Sequence, residues 1–420
     1  MYKKTVLDNG LRVITATMPH VRSVSICFFI GVGSRYEPSK KAGVSHFIEH
    51  LMFRGTEKRP TAKDISEAIE GLGGTLNAGT DRELTVYWCK VAQPHFRQAL
   101  DVLTDMLLHS RFDSQDIDKE RQIIFEEINM SYDSPQQRVG LLIDELLWPA
   151  HPLGRDIAVS KQSVGSITRE DLLTYLKGHY LPAGTVISVA GNIKHQEVVD
   201  AVRRGLGGWS GRKRRPGYIA YKENLTERLL VETRDIEQAH LCLALPGLSL
   251  FHPRRFVCDL LNVILGEGMS SRLFGEIRDR LGIAYSIYSF AEHLLDSGSI
   301  TVYAGVEPKN LVTAIKAILG QLGGLKEDIA ESELTKAKEL SKGRLLLGME
   351  NSRNVAGWIG SQEILTGRIL SVDQVVDIVD AITVDELKQL AQELMIGDRL
   401  RLAVVGPAKT YEPLEELLKL

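Results

Sequence analysis

The 420 residues read as an α+β protein made of two homologous domains, each a mainly antiparallel sheet with packed helices. Three observations carry this expectation. Short motifs recur at an offset of 214 to 215 residues, strand-like and helix-like segments interleave, and several helix-like segments open on capping residues.

In chain order, Thr5 to Leu7, Leu11 to Ala16, Val24 to Gly31, Leu84 to Val91 and Val186 to Ala190 are rich in Val, Ile, Phe and Tyr, which suit a pleated, half-buried surface. Asp8-Asn9-Gly10 reads as the hairpin turn between the first two, since Asn-Gly adopts positive φ readily. Helices are expected over Ala42 to Phe53, Thr61 to Leu72, His95 to Leu108, Ser114 to Asp133, Pro135 to Leu147 and Arg169 to Tyr180. Several begin on Ser, Thr or Asp, whose side-chain oxygen accepts from an otherwise free amide of the first turn.

The second copy repeats this grammar. Val91-Ala92-Gln93-Pro94 and the helix after it are echoed by Val306-Glu307-Pro308 and the helix Leu311 to Leu322. Ser166-Ile167-Thr168-Arg169-Glu170-Asp171-Leu172 is echoed by Ala381-Ile382-Thr383-Val384-Asp385-Glu386-Leu387, and Val189-Ala190-Gly191 by Val404-Val405-Gly406. The expected division is a first domain over 1–209, a linker over 210–224 around Arg212-Lys213-Arg214-Arg215-Pro216-Gly217, and a second domain over 225–420.

The chemistry concentrates in His46-Phe47-Ile48-Glu49-His50. At 3.6 residues per turn, His46 and His50 project from one helix face about a turn apart, near enough to share one metal ion at about 2.0–2.1 Å. Glu49 flanks that face, placed to take a proton from a water that the cation has acidified. A catalytic zinc takes three protein ligands, and the expected helix Ser114 to Asp133 supplies acids. Glu120 and Glu127 lie two turns apart on one face, so one can ligate while the other orients a histidine.

His-x-x-Glu-His is an inverted zinc motif. Together with Gly33-Ser34-Arg35, Phe53-Arg54-Gly55-Thr56 and Glu120-Arg121-Gln122-Ile123-Ile124-Phe125-Glu126-Glu127, it resembles the pitrilysin (M16) family of metallopeptidases, in the short bacterial branch similar to the mitochondrial processing peptidase β subunit. The resemblance covers nearly the whole chain. It implies two domains facing each other around a cavity, Zn²⁺ held by His46, His50 and Glu127, Glu49 as the base, and Glu120 as the carboxylate behind the ligands. It also implies a homodimer acting on peptide substrates, while the net charge and the short apolar stretches point to no nucleic-acid or membrane partner.

Projecting the motif through the repeat lands near Leu260 to Ile264, where no His or Glu occurs, and the counterpart of Glu127 falls at about Ser341 or Lys342. Only the first copy is equipped for metal. In the second copy the resemblance matches Arg278 and Tyr285 to a pair that reaches the substrate. Arg can hold a backbone carbonyl there, and Tyr can stabilise an oxyanion. Gly71 to Thr80 is glycine-rich but lacks the Lys-Ser/Thr of a phosphate loop. By resemblance it is a strand edge that takes up a peptide as an added strand, with Asn77 and Ala78 in contact.

Composition sets the remaining bounds. A net charge of −3 excludes a globally basic nucleic-acid binder. Cys27, Cys89, Cys242 and Cys258 have no metal-type spacing and sit in apolar stretches, as buried thiols of a reducing compartment do. No stretch approaches the roughly 20 apolar residues of a membrane span, and Met1 to Val6 has no apolar signal core, so the expected location is the cytoplasm. The expected activity is that of a zinc metalloendopeptidase. A catalytically inert partner subunit of the same fold is the alternative, and the intact motif weighs against it.

Overall fold

The computed structural model describes residues 2–211, 217–407 and 414–420, so most of the basic cluster, 212–216, lies outside the described residues. Strands β1 (Lys3–Val6), β2 (Arg12–Thr17), β3 (Ser23–Ile30), β4 (Thr75–Thr80), β5 (Thr85–Ala92) and β6 (Thr185–Gly191) form one sheet in the order β1-β2-β6-β3-β5-β4. Only β2 and β6 run parallel; the other neighbours are antiparallel. Strands β7 (Leu229–Thr233), β8 (Ala239–Pro246), β9 (Ala284–His293), β10 (Gly298–Val306) and β11 (Arg401–Gly406) form the second sheet, ordered β7-β11-β8-β10-β9. Its single parallel pair, β7 with β11, occupies the place of β2 with β6. The two sheets therefore share one topology, and among the described residues the second has no counterpart of β1.

On one face of the first sheet, Val24, Ile26, Phe28 and Ile187 meet apolar residues of the helices Val44–Leu51, Ala62–Glu70, Phe96–His109 and His195–Leu206 in a single core. Burial of that apolar surface, at roughly 25 cal/mol per Å², is the main force holding the layers together. The helix starts follow the capping chemistry: Thr61, Thr168 and Thr383 each make a reciprocal box with an acid three residues on.

The packing does not follow two continuous stretches. One compact unit comprises residues up to Ile128, Asp156–Ile219 and Leu346–Ser371; the other comprises Asn129–Arg155, Ala220–Leu345 and Val372–Leu420. Each half lends one helix to the other half's sheet. The helix Pro135–Leu147 buries Val139, Leu142, Ile143 and Leu146 against Cys242 and Ala244 of β8 and Ala403 and Val405 of β11. Reciprocally, the helix Ser352–Thr366 buries Ala356, Ile359 and Ile364 against Ala16, Cys27, Phe29 and Ala190. Small residues on these sheet faces admit a close helix. At Gly360 an added Cβ would stand 2.2 Å from the Phe29 ring. The linear division into 1–209 and 225–420 says nothing of this exchange, because an amphipathic pattern states that a face must be buried without stating against what.

Candidate metal centre

The helix Val44–Leu51 follows Gly43, whose φ of 95° suits glycine. Its N-terminus is satisfied from outside: the buried Glu37 carboxylate accepts from the Gly43 and Ser45 amides, both at 2.7 Å. Phe47, Ile48 and Leu51 enter the core, which leaves His46, Glu49 and His50 half-buried on the other face. Opposite them runs the helix Ser114–Asp133, held down by Ile117, Ile124 and Ile128, with Glu120 and Glu127 turned toward the histidines.

Three donor atoms converge. His46 Nε2 lies 3.2 Å from His50 Nε2, His50 Nε2 lies 3.5 Å from Glu127 Oε2, and Glu127 Oε2 lies 3.7 Å from His46 Nε2. Donors at about 2.0–2.1 Å around a tetrahedral ion stand about 3.3–3.4 Å apart, so this triangle has the size that a zinc ion needs, with a fourth corner open. Among the described residues it is the sole cluster of at least three His, Cys, Asp or Glu able to hold an ion. The structure thus brings together His46, His50 and Glu127, with Glu126 exposed and outside the triangle.

Behind the triangle, His50 Nδ1 donates to Glu120 Oε2 at 2.9 Å, which fixes the tautomer that leaves the Nε2 lone pair free to face into the triangle. Glu120 is 2% exposed and is paired on its other oxygen with Arg54. His46 has no such support, since its Nδ1 is buried and no described residue hydrogen-bonds to it. Burial, then the charge of His50, lowers the His46 imidazole to about 4, so it is neutral at pH 7, the form in which an imidazole can ligate a metal. Glu49 accepts from Thr80 Oγ1 at 2.5 Å. Burial lifts its carboxyl above the ordinary carboxylate value; the Thr80 hydroxyl and His50 pull it back, and Glu127 pushes it up. That balance suits a base that must take a proton and give it up again.

β4 is the outer strand of its sheet and ends at Thr80, so the strand edge and the Glu49 carboxylate are hydrogen-bonded neighbours. Asn77 and Ala78 lie on this edge strand. The Asn77 side-chain oxygen accepts from the Ala78 amide at 2.8 Å, covering a donor that an incoming strand would use. Arg278 and Tyr285 belong to the other unit. There the Arg278 guanidinium lies 4.7 Å from the Phe274 ring centroid and 5.2 Å from that of Tyr285, beside a cleft of about 610 Å³ also lined by Gln238 and Lys309. Arg278 sits in a π-helical turn, Phe274–Arg280, and Tyr285 is 81% exposed.

Thr80, Arg54 and Glu37 contact the candidate site and were not assigned a part in it from the sequence. Arg54 sits in the Phe53-Arg54-Gly55-Thr56 signature and had a signal there. Thr80 and Glu37 reach the site through tertiary folding alone, and no periodicity marks them. The projected counterparts carry no ligands: Leu260 and Ile264, in the places of His46 and His50, are buried in the helix Arg255–Gly266, and Lys342 pairs with Glu339 and Asp380. All four cysteines are buried free thiols, and His151 caps the Leu153 amide.

Comparison with known proteins gives the family. Residues 12–161 match the family profile described as "Insulinase (Peptidase family M16)", and residues 166–341 match "Peptidase M16 inactive domain". A Bacillus subtilis relative named "Uncharacterized zinc protease YmxG" is 36% identical over 409 residues, covering 97% of this chain and 99% of its own. The chain belongs to the M16 peptidase family. An M16 relative in Mycobacterium leprae, also named a zinc protease, is 36% identical over 99% of this chain and 94% of its own. A crystal structure titled as a protease from Helicobacter pylori shares the fold with a TM-score of 0.91 at 22% identity, over 97% of this chain and 99% of that one. The inactive-domain profile covers β7 to β10, in the half where the projected counterparts of His46 and His50 are apolar. No described helix is long and apolar enough to cross a membrane.

Proposed function

We propose that this M16 protein is a zinc-dependent endopeptidase that hydrolyses extended peptide segments. The observation that carries this reading is the donor triangle of His46, His50 and Glu127, with sides of 3.2 to 3.7 Å and Glu49 beside it. His46, His50 and Glu127 would hold the zinc. When bound, zinc supplies Lewis acidity, polarising a peptide carbonyl and acidifying water. Glu49 takes the proton as the water oxygen bonds to the carbonyl carbon, and returns it to the amine nitrogen as the C–N bond breaks. Thr80 holds Glu49 in line, and Glu120 holds His50. The open edge of β4 supplies backbone hydrogen bonds to a substrate strand once the Asn77 side chain swings off the Ala78 amide. On the family resemblance, Arg278 and Tyr285 hold the substrate carbonyl and the developing oxyanion.

An inert partner subunit requires none of this chemistry, and the complete triangle with its supporting Glu120 and Arg54 speaks against it. The test is incubation of the zinc-loaded protein with a diverse peptide pool, with and without a chelator, and mapping of new termini by mass spectrometry. Chelator-sensitive cleavage supports the reading. A pool left intact by protein that retains one zinc per chain overturns it.

A further inference from the structure

The Gly33-Ser34-Arg35 motif is not consumed by the metal chemistry, and its surroundings give it a job. The Ser34 amide donates to the Asp81 carbonyl at 3.1 Å and the Arg35 amide to the Arg82 carbonyl at 2.9 Å. Residues 33–35 thus run along the turn that joins β4 to β5. Gly33 is required by the closeness of this contact, since an added Cβ would stand 2.0 Å from the Asp81 oxygen. The Arg35 side chain is 1% exposed, and its Nη1 donates to Glu83 Oε1 at 2.5 Å on the same turn. Thr80, the residue that opens this turn, donates to Glu49.

Arg35 is held from its other side as well. Its Nη2 donates to the Ile219 carbonyl at 3.0 Å, and its guanidinium carbon lies 4.0 Å from the centroid of the Tyr218 ring. Tyr36 meets the same ring edge-on at 5.6 Å. Ile219 is the last residue of its unit before the chain passes into the other. One buried guanidinium therefore fastens the outgoing chain to the turn that aims Thr80 at Glu49. Cation–π stacking on Tyr218 and two charge-type hydrogen bonds leave it one orientation.

We propose that Arg35 is a positioning residue for the reaction, locking the β4–β5 turn so that Thr80 orients Glu49, and that Tyr218 is the lid that keeps the guanidinium in place. This rests on the endopeptidase reading, and one of its two readouts does not depend on activity. Arg35 is too buried for a clean deletion, so the primary variant is Tyr218→Ala at a position 38% exposed, with Tyr218→Phe as the conservative rescue. In metal-free protein, hydrogen exchange of the amides of residues 80–84 should speed up in Tyr218→Ala and stay at the wild-type rate in Tyr218→Phe. With zinc loaded, Tyr218→Ala should lose roughly ten- to hundredfold in kcat at nearly constant KM, as misplacement of a reacting group does, and Tyr218→Phe should restore it. Wild-type exchange at 80–84 together with wild-type kcat in Tyr218→Ala overturns the proposal, as does a loss of kcat that Phe fails to restore. If wild-type protein cleaves nothing, the endopeptidase reading has failed, while the exchange arm still decides whether Tyr218 and Arg35 hold the turn.

Discussion

Replacing Glu120 with Gln isolates the contribution of the carboxylate behind the proposed metal ligands. The substitution keeps the shape of a side chain that is 2% exposed, and the amide oxygen can still accept from His50 Nδ1, now 2.9 Å from the carboxylate. What disappears is the negative charge, which raises the basicity of His50 Nε2 and neutralises Arg54 on the other side. Loss of such support costs about 10- to 100-fold in metal affinity, or about 1.4–2.7 kcal/mol. Glu120→Gln should weaken zinc binding by that factor in a competition titration against a chromophoric chelator. Among the described residues no carboxylate reaches His46 Nδ1, so His50 must carry the whole effect. A zinc affinity within twofold of wild type would refute the reasoning and reduce Glu120 to a partner of Arg54.

Further outcomes follow from the same geometry. Glu49→Gln should abolish peptide cleavage while zinc content by atomic absorption stays near one per chain, whereas Glu127→Gln should lose metal and activity together; a metal-free Glu49→Gln protein contradicts the assigned roles. The Thr80 hydroxyl lowers the Glu49 carboxyl, so in Thr80→Val that carboxyl titrates higher and the acidic limb of the kcat/KM profile moves to higher pH; an unmoved limb removes Thr80 from the mechanism. Glu363→Leu takes the carboxylate from a buried pair with Arg12 at 3.0 Å, where the side chains are 3% and 8% exposed, and should cost about 3–5 kcal/mol in urea unfolding. Arg278→Ala and Tyr285→Phe should each lower kcat/KM by about 10²-fold with zinc content unchanged, and intact cleavage by both would take the second unit out of the chemistry.

Most helices and strands of the first half were legible because their signals are local. The bounds Ser114–Asp133 and Pro135–Leu147 agree with expectation, since each helix carries an apolar stripe and the second opens on a Ser cap followed by Pro. β4 has no such stripe: Thr75 to Thr80 is short, glycine-bearing and paired on one side only, so its strand character comes from β5. The same contrast divides the site. His46, Glu49 and His50 announce themselves by helical spacing, but Glu127 could be separated from Glu120 only by resemblance. The separation is physical in the fold, where Glu127 Oε2 reaches both Nε2 atoms and Glu120 reaches Nδ1 from the buried side.

By itself the sequence determined that the chain holds two copies of one α+β domain and that only the first carries a metal motif, because repeats, helical periodicity and ligand spacing are properties of order along the chain. The tertiary structure decided which sheet each amphipathic helix covers, sending Pro135–Leu147 and Ser352–Thr366 each to the other copy's sheet. It also decided that Thr80, Arg54 and Glu37 support the metal helix and that Arg35 ties the β4–β5 turn to Tyr218. An apolar face or a lone polar side chain specifies that it must find a partner. Which partner it finds depends on the three-dimensional closeness of segments far apart in the chain, and that is set only when the whole chain packs.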